Sequence, residues 1–244
     1  MEDVDEVFVT DVPDSKYVRP VRFNYSQAGR NKAWDLLRVY DSVGVIVFNI
    51  ERNVLVILKQ FRPAVYFNAI AEKDRSDSKK ISSQRYPPSL GVTLEICTGL
   101  IDDSHKSALE TAKGELYEKM GYDVPLSSFE KIMSFRSGVG VQGSLFTLFF
   151  CEVTDIMKIA EEERRPFMQF SELVEKTIPD AYEMMDTQGP VSSPPSTLFA
   201  LTWFLYFKAI QFQKVATTKE TDKEHGGCKK TKPKSSALNL SFHI

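Results

Sequence analysis

The sequence has few cysteines, almost no net charge and no apolar stretch long enough to cross a bilayer. Its three cysteines among 244 residues, Cys97, Cys151 and Cys228, are too few and too scattered for a disulfide framework. Because Cys97 and Cys151 lie in apolar stretches, we expect both to be buried thiols in a reducing compartment. The formal net charge of -2 provides no overall field that would attract nucleic acid or an anionic membrane.

Segments that would direct the chain to a membrane are also missing from the sequence. The first ten residues, MEDVDEVFVT, are acidic and lack the apolar core of a signal peptide. The longest apolar stretch, LFALTWFLYF, is much shorter than the roughly 20 residues that a membrane-spanning helix needs. We therefore expect a cytoplasmic protein with neither a membrane nor a nucleic-acid partner.

Apolar, β-branched runs dominate the first two-thirds of the chain and predict a core rich in strands. The runs Ser42–Ile50 and Asn53–Phe61 are separated by two residues, which is typical of a β-hairpin. Upstream, a first antiparallel pair is predicted to turn at residues 28–30. Further strands are predicted over Gly91–Gly99 and within SLFTLFFCEV, which we expect to be a central strand.

Composition divides the chain into three parts. We expect an N-terminal β segment over residues 1–40, one main domain over residues 41–213 and a disordered lysine-rich tail over residues 214–244, since the tail's composition cannot build a core. Within the main domain, the polar stretch Asn68–Ser89 predicts an inserted surface loop. The apolar spacing of Ser196–Phe212, with two prolines before it, predicts a final helix.

One stretch, SALETAKGELYEKMG, predicts a well-delimited helix that presents two carboxylates. Ser107 and Glu110 form a capping-box pattern, and Gly121 stands where a helix-ending glycine belongs. Glu115 and Glu118, three residues apart, are neighbours on the helix surface and offer hard oxygen ligands to Mg²⁺ or Mn²⁺. An ordinary exposed helix explains the same residues, because Glu115 and Lys119 form a favourable pair worth roughly 0.2–0.5 kcal/mol.

The order of strand, loop and helix around these carboxylates resembles the Nudix box, G-x5-E-x7-R-E-U-x-E-E-x-G-U. Gly99 resembles the leading glycine, Glu115 stands at the Glu of the R-E pair, and Leu116 follows as U. Glu118 matches the first Glu of E-E, and Gly121-Tyr122 matches the closing G-U. The stretch from Gly99 to Glu115 is one residue longer than the general pattern, as in the UDP-sugar diphosphatase branch of the family.

The resemblance to that branch extends from about Tyr17 to Phe207 and includes VLVILKQFRPAVY, GVTLEICTGLIDD and SFRSGVGVQGS. It implies a Nudix α/β/α sandwich with a mixed sheet, preceded by the antiparallel segment as a dimerisation element. It also implies hydrolysis of a nucleoside diphosphate sugar, of the UDP-glucose or ADP-ribose class, to a nucleoside monophosphate and a sugar 1-phosphate. The expected cofactor is Mg²⁺, with Mn²⁺ as an alternative, and the expected assembly is a homodimer.

The resemblance also assigns roles to individual residues. Glu115 and Glu118 are the expected catalytic carboxylates and, with the Thr98 carbonyl, the expected metal ligands. Arg62 is expected to clamp the diphosphate, although a surface ion pair explains it equally well. Gly138 and Gly140 lie in a glycine-rich loop whose backbone N–H groups suit phosphate oxygens, although a flexible hairpin explains that loop too.

The sequence departs from the family pattern at three places that matter for chemistry. Gly114 replaces the basic residue before the first Glu, and Lys119 replaces the last Glu, which normally contributes a metal ligand. At 4 Å and an effective dielectric of 20, two unit charges interact by about 4 kcal/mol, so a lysine there opposes a bound cation. In the family's later acidic loop, Arg164 and Arg165 replace the usual continuation, so the acidic residue of that loop is one of Glu161, Glu162 and Glu163.

These departures leave two functional hypotheses open. The chain is either a hydrolase, whose activity Gly114 and Lys119 weaken, or a catalytically impaired homologue that binds a nucleotide sugar or a protein partner. The direction of the Lys119 side chain discriminates between them, because an ammonium that points at Glu115 and Glu118 takes the cation's place.

Overall fold

The computed structural model describes residues 4, 6–10, 14–15, 18–75, 80–160, 171–186 and 188–212, and this part of the chain forms nine strands and four α-helices. The strands are β1 (Arg19–Gln27), β2 (Arg30–Arg38), β3 (Ser42–Asn49), β4 (Val54–Phe61), β5 (Val92–Glu95), β6 (Cys97–Leu100), β7 (Phe129–Arg136), β8 (Leu145–Val153) and β9 (Ser171–Thr177). The helices are α1 (Pro63–Ala69), α2 (Ala108–Glu115), α3 (Ile178–Met185) and α4 (Pro195–Phe207).

A mixed sheet of seven strands forms the centre of the molecule. Five strands follow one another in the order β5-β4-β3-β8-β7, while β6 pairs with β3 and β9 pairs with β4. Strand β3 is parallel to β8 and antiparallel to β4. The predicted hairpin of β3 and β4 is therefore confirmed, and so is the central position of SLFTLFFCEV, whose β8 lies between β3 and β7.

Helices cover both faces of this sheet. Strand β3 reads as a continuous apolar run because it is buried on both sides, as central strands are. Val43, Val45 and Val47 pack in the core cluster that contains α2, whereas Ile46 and Phe48 pack in the cluster that contains α3 and α4. This arrangement confirms the expected α/β/α sandwich.

The N-terminal strands form a separate two-stranded antiparallel sheet. Strands β1 and β2 pair from Arg19 with Arg38 to Gln27 with Arg30. The predicted turn is confirmed, with Ala28 and Gly29 in the left-handed region at φ of 53° and 73°. Large apolar side chains remain uncovered on this hairpin, since Phe23 is 56% and Trp34 is 54% exposed.

The single strand predicted over Gly91–Gly99 is divided in the structure. Strand β5 pairs with β4, whereas β6 pairs with β3, so the segment passes from one neighbour to the other. Between them, the Ile96 N–H donates to Thr197 Oγ1 of α4 at 3.1 Å. One straight strand cannot follow two neighbours, and the break delivers Thr98 and Gly99 to the beginning of β3.

Two other predictions need correction in detail. Helix α4 ends at Phe207, five residues earlier than predicted, and a further helical turn follows over residues 209–212. The stretch Asn68–Ser89 is more than a surface loop, because Ile70 and Ile81 are buried with Tyr66 in a small separate core. Composition alone does not predict this core, because it forms through apolar contacts with flanking segments.

Candidate active site

Helix α2 begins and ends as its sequence predicts. The Ser107 Oγ accepts from the Glu110 N–H at 3.2 Å, and a Glu110 carboxylate oxygen accepts from the Ser107 N–H at 2.8 Å, which completes the capping box. After Glu115 the helix widens into one π-helical turn, Leu116–Met120, and Gly121 ends it at φ 72°. Such turns occur often at functional sites, and this one carries Glu118 and Lys119.

Strand β6 holds the side chain of Glu115 in contact with its backbone. A Cβ atom placed on Gly99 would lie 2.2 Å from both Cγ and Cδ of Glu115. No real Cβ makes such a contact, so only glycine at this position lets the glutamate side chain lie against the strand. The leading glycine of the box motif therefore has a local physical reason in this chain.

The Lys119 ammonium points into the site. Its Nζ donates to the Thr98 carbonyl at 2.6 Å and lies 2.9 Å from Glu115 Oε2. The exposed fractions of the two side chains are 25% and 17%, so water screens this ion pair only in part. Two groups that the resemblance assigns to a metal ion, the Thr98 carbonyl and Glu115, therefore both contact a cation that belongs to the chain itself.

Among the described residues, one oxygen of the Glu115 carboxylate lacks a hydrogen-bond donor, although Lys119 lies close to it. Its Oε2 is fully shielded from solvent and, within the described ranges, accepts no hydrogen bond of acceptable angle, although the Lys119 charge is close. Cys97 lies nearby, and burial raises the pKa of its thiol to about 12, with small opposing effects of Lys119 and Glu115. Cys97 and Cys151 are both buried and free, as predicted.

A cavity of about 290 Å³ opens beside Glu115, Glu118 and Lys119. Carboxylates outnumber lysines in its wall by five to two, which leaves an excess of three negative charges. The described residues that line it are Leu100, Asp102, Asp103, Lys106, Glu110, Thr111, Gly114, Glu115, Glu118 and Lys119. The structure thus brings both predicted carboxylates to one cavity, but Arg62, Gly138 and Gly140 are not part of that wall.

Arg62 is held by a buried carboxylate that the sequence analysis did not single out. Its Nε and Nη2 donate to the two oxygens of Glu95 at 2.7 Å and 2.6 Å, and Thr93 Oγ1 donates to the same carboxylate at 2.6 Å. The hydrogen bond to Glu95 raises the pKa of Arg62. Burial opposes ionisation of Glu95, but the bonds from Arg62 and Thr93 outweigh it and lower the pKa of Glu95.

Arg62 therefore forms an ion pair, and its partner, Glu95, is only 4% exposed. The signal for Glu95 was present in the sequence, because an acidic residue inside the apolar strand VTLE needs a cationic partner if it is buried. The Nη1 edge of the guanidinium takes no part in the two bonds to Glu95, so the position still suits a second anion.

The glycine-rich loop between β7 and β8 is docked on the N-terminal hairpin. The Gly140 carbonyl accepts from Trp34 Nε1 at 2.8 Å, and the Val141 carbonyl accepts from the Leu37 N–H at 2.7 Å. Gly138 adopts φ 52°, and its carbonyl accepts from the Val141 N–H at 2.9 Å. The loop is therefore tied by two hydrogen bonds to β2, which the sequence did not predict.

Two further features add little to the site. His105 is exposed in the loop before α2, and its backbone N–H donates to an Asp103 carboxylate oxygen at 2.9 Å. Glu161, Glu162 and Glu163 lie outside the described residues. In the part of the chain that is described, no three His, Cys, Asp or Glu side chains are grouped to hold a metal ion, and no helix is long and apolar enough to cross a membrane.

Comparison with known proteins supports the resemblance. No family model matches the chain. The uridine diphosphate glucose pyrophosphatase NUDT14 of Bos taurus is 34% identical over 220 residues, which cover 84% of this chain and 95% of that protein. The corresponding protein of Mus musculus is 32% identical over 217 residues, with the same coverage. The chain belongs to the Nudix family, in its UDP-sugar diphosphatase branch.

A more distant relative of this Nudix chain is the GDP-mannose pyrophosphatase of Cronobacter sakazakii, which is 27% identical over 168 residues, or 60% of this chain and 76% of that protein.

Nudix pyrophosphatases generally need a divalent metal ion. As placed, the Thr98 carbonyl and Glu115 do not fit one, because the Lys119 ammonium already lies within 2.6 Å and 2.9 Å of them.

Proposed function

We propose that this Nudix chain hydrolyses the diphosphate of nucleoside diphosphate sugars, with UDP-glucose as the first substrate to test. The observation that carries the proposal is the likeness to relatives named as UDP-glucose pyrophosphatases, which extends over 95% of their length. The local frame of the box supports it, since Glu115 rests on Gly99 and shares a cavity with Glu118. A distant relative named for GDP-mannose widens the substrate class to other bases and sugars.

In this proposal, water attacks one phosphorus, the bridging P–O bond breaks, and a nucleoside monophosphate and a sugar 1-phosphate leave. We assign the proton of the attacking water to Glu118, because its carboxylate lines the cavity beside Glu115. Arg62 holds the diphosphate through the guanidinium edge that does not face Glu95. The backbone N–H groups near Gly138 and Gly140 are assigned to phosphate oxygens, since their loop is fixed by Trp34.

The divalent ion that we propose for the reaction mixture is Mg²⁺, with Mn²⁺ as a substitute, because both prefer hard oxygen ligands and substrate phosphates. A bound divalent ion neutralises phosphate charge and acidifies water. Since Lys119 occupies the position between Thr98 and Glu115, we derive no step through a resident ion there.

The test incubates the purified chain with UDP-glucose, GDP-mannose and ADP-ribose, each with Mg²⁺, Mn²⁺ or a chelator, and measures monophosphate release. Glu118→Gln should lower the rate by about 10²–10⁴-fold, the usual loss for a general base. Glu130→Gln is the matched control, because Glu130 is an exposed carboxylate of β7 that pairs with Lys208. Absence of monophosphate from all three substrates, even at stoichiometric protein, would refute the proposal.

A nucleotide-sugar-binding module without turnover is the second candidate. The observation in its favour is the Lys119 ammonium inside the site, whereas the names of the relatives favour hydrolysis. Calorimetric titration with UDP-glucose distinguishes them, because a pure binding module produces binding heat and no monophosphate.

We further propose that the chain acts as a homodimer through the β1–β2 hairpin in the cytoplasm. The half-exposed Phe23 and Trp34 support the first part, since apolar side chains of this size usually find a partner surface. The free, buried Cys97 and Cys151 support the second, because both remain thiols.

A further inference from the structure

We propose that Lys119 is a built-in cation that occupies the place of a resident metal ion between the Thr98 carbonyl and Glu115. The inference rests on the proposed function only for the identity of the site, and it concerns what fills that site. It follows that the chain binds no divalent ion through this pair of ligands, whatever ion accompanies the substrate.

The geometry of the ammonium group is that of a coordinated cation. Its distances of 2.6 Å to a carbonyl oxygen and 2.9 Å to a carboxylate oxygen are those of short, charge-assisted contacts. The two oxygens come from different elements, β6 and the end of α2, and the lysine links them across the site. The ammonium donates a hydrogen bond to the Thr98 carbonyl and at the same time pairs by charge with the Glu115 carboxylate.

The chain itself fixes this position. Lys119 lies four residues after Glu115, which places the two side chains on one face of the helix. Gly99 lets the Glu115 carboxylate lie against β6, where the Thr98 carbonyl is also found. The close contact between Gly99 and Glu115 therefore places two oxygen atoms where the lysine binds them. Because the ammonium is part of the chain, it does not dissociate as a bound ion does.

A divalent ion and this ammonium exclude each other. Both need the same two oxygens, and their positive charges repel across a partly shielded site. The wider cavity does not supply a substitute set of ligands, because among the described residues no three His, Cys, Asp or Glu side chains lie so that they could hold one metal ion. Lys119 thus replaces a charge of two by a charge of one and removes an exchangeable ion from the site.

Lys106 provides a matched control for the effect of charge alone. It lines the same cavity as Lys119, so its removal changes the charge of the wall by the same amount. Its position differs, however, because its backbone N–H donates to the Asp103 carbonyl in the loop before α2. If charge alone controls Mn²⁺ affinity, removal of either lysine should change that affinity equally. If the ammonium occupies the ion's place, only removal of Lys119 should change it strongly.

The experiment is a Mn²⁺ titration of the full chain without substrate, with free Mn²⁺ measured by electron paramagnetic resonance. The wild-type protein should have no Mn²⁺ site that depends on Glu115, so Glu115→Gln should leave its Mn²⁺ binding unchanged. Lys119→Gln should raise Mn²⁺ affinity by roughly tenfold or more, the scale on which changes around a metal site act. Lys106→Gln should change it much less, and Glu115→Gln added to Lys119→Gln should abolish the gain.

Three results would overturn the proposal: a wild-type Mn²⁺ site that Glu115→Gln removes, an equal gain from Lys106→Gln, or no gain from a folded Lys119→Gln. Circular dichroism checks the fold, and Lys119→Ala replaces the glutamine variant if that does not fold. Because no substrate is present, the outcome is independent of whether the chain hydrolyses nucleotide sugars, which monophosphate release decides separately.

Discussion

At the scale of single residues, two glycines of the site differ in whether their surroundings leave room for a side chain. Gly99 lies so close to Glu115 that a Cβ atom would overlap its side chain, whereas a Cβ on Gly114 would meet nothing within 4 Å. The first glycine is therefore needed by a close approach. The second only weakens its helix, by about 1 kcal/mol relative to alanine.

This contrast gives a paired prediction. Gly99→Ala should push the Glu115 carboxylate away from Lys119 and lower the free energy of unfolding by about 1–3 kcal/mol, the usual cost of overpacking. Gly114→Ala should instead raise it by up to about 1 kcal/mol through helix propensity. Urea denaturation of both variants measures the difference, and an equal effect of the two substitutions would contradict the contact at Gly99.

Charge reversal at Lys119 is the second prediction at this scale. Lys119→Glu replaces the ammonium by a hard oxygen ligand, so Mn²⁺ affinity should rise roughly tenfold or more, and hydrolysis with it. Gly114→Arg should increase the gain further, although not independently, because both changes lie in one cavity wall. Calorimetry measures the affinity, and an unchanged value would mean that position 119 does not limit metal binding.

At the scale of elements, the end of β4 is fastened to β5 by one nearly buried carboxylate. Glu95 of β5 holds Arg62, which immediately follows β4, in two parallel hydrogen bonds. Removal of one partner of such a pair leaves the other charge without compensation. We expect Arg62→Ala to cost about 1–3 kcal/mol of stability, less than for a fully buried pair because Arg62 is 41% exposed.

The same pair predicts a dependence of stability on pH. The pKa of Glu95 is lower in the folded chain than its ordinary value of 4.5, so the pair contributes fully above that pH. Its contribution should disappear as the pH falls from 4.5 through the lower folded value. Denaturant titrations between pH 3 and pH 6 test this, and Glu95→Gln should flatten the slope; a variant with the wild-type slope would assign the dependence to other carboxylates.

The hairpin and the glycine-rich loop form the second link between elements. Trp34→Phe keeps an aromatic ring but removes the donor to the Gly140 carbonyl. A hydrogen bond contributes about 0.5–1.5 kcal/mol, and the exposure of Trp34 favours the low end. We expect faster amide exchange over residues 137–143 with little change in global stability, and unchanged exchange would show that the bond from Leu37 alone holds the loop.

At the scale of the whole molecule, the two ends of the chain should differ in importance for assembly. A chain that ends after Phe212 should fold and dimerise like the full protein, since the composition of residues 214–244 offers little apolar surface. Deletion of residues 1–40 removes the hairpin that carries Phe23 and Trp34 and should give monomers or aggregates. Light scattering on both variants decides, and monomers from the C-terminal truncation would place the dimer contacts at the other end.

The sequence by itself determined the parts of this protein that depend on neighbours along the chain. The capping box of Ser107 and Glu110, the turn at Ala28 and Gly29 and the central strand of apolar residues are local patterns, so each could be predicted. The spacing of Glu115 and Lys119 allowed their pairing in the same way. Family membership also followed from linear motifs.

Only the tertiary structure decided which distant groups meet. The division of Gly91–Gly99 into β5 and β6 depends on two different neighbouring strands, and it brings the Thr98 carbonyl to Lys119. The pairing of Arg62 with Glu95, 33 residues away, depends on the register of β4 and β5. Such contacts arise from the packing of whole elements, which no local pattern encodes, and they place a lysine where the motif alone indicated a metal ion.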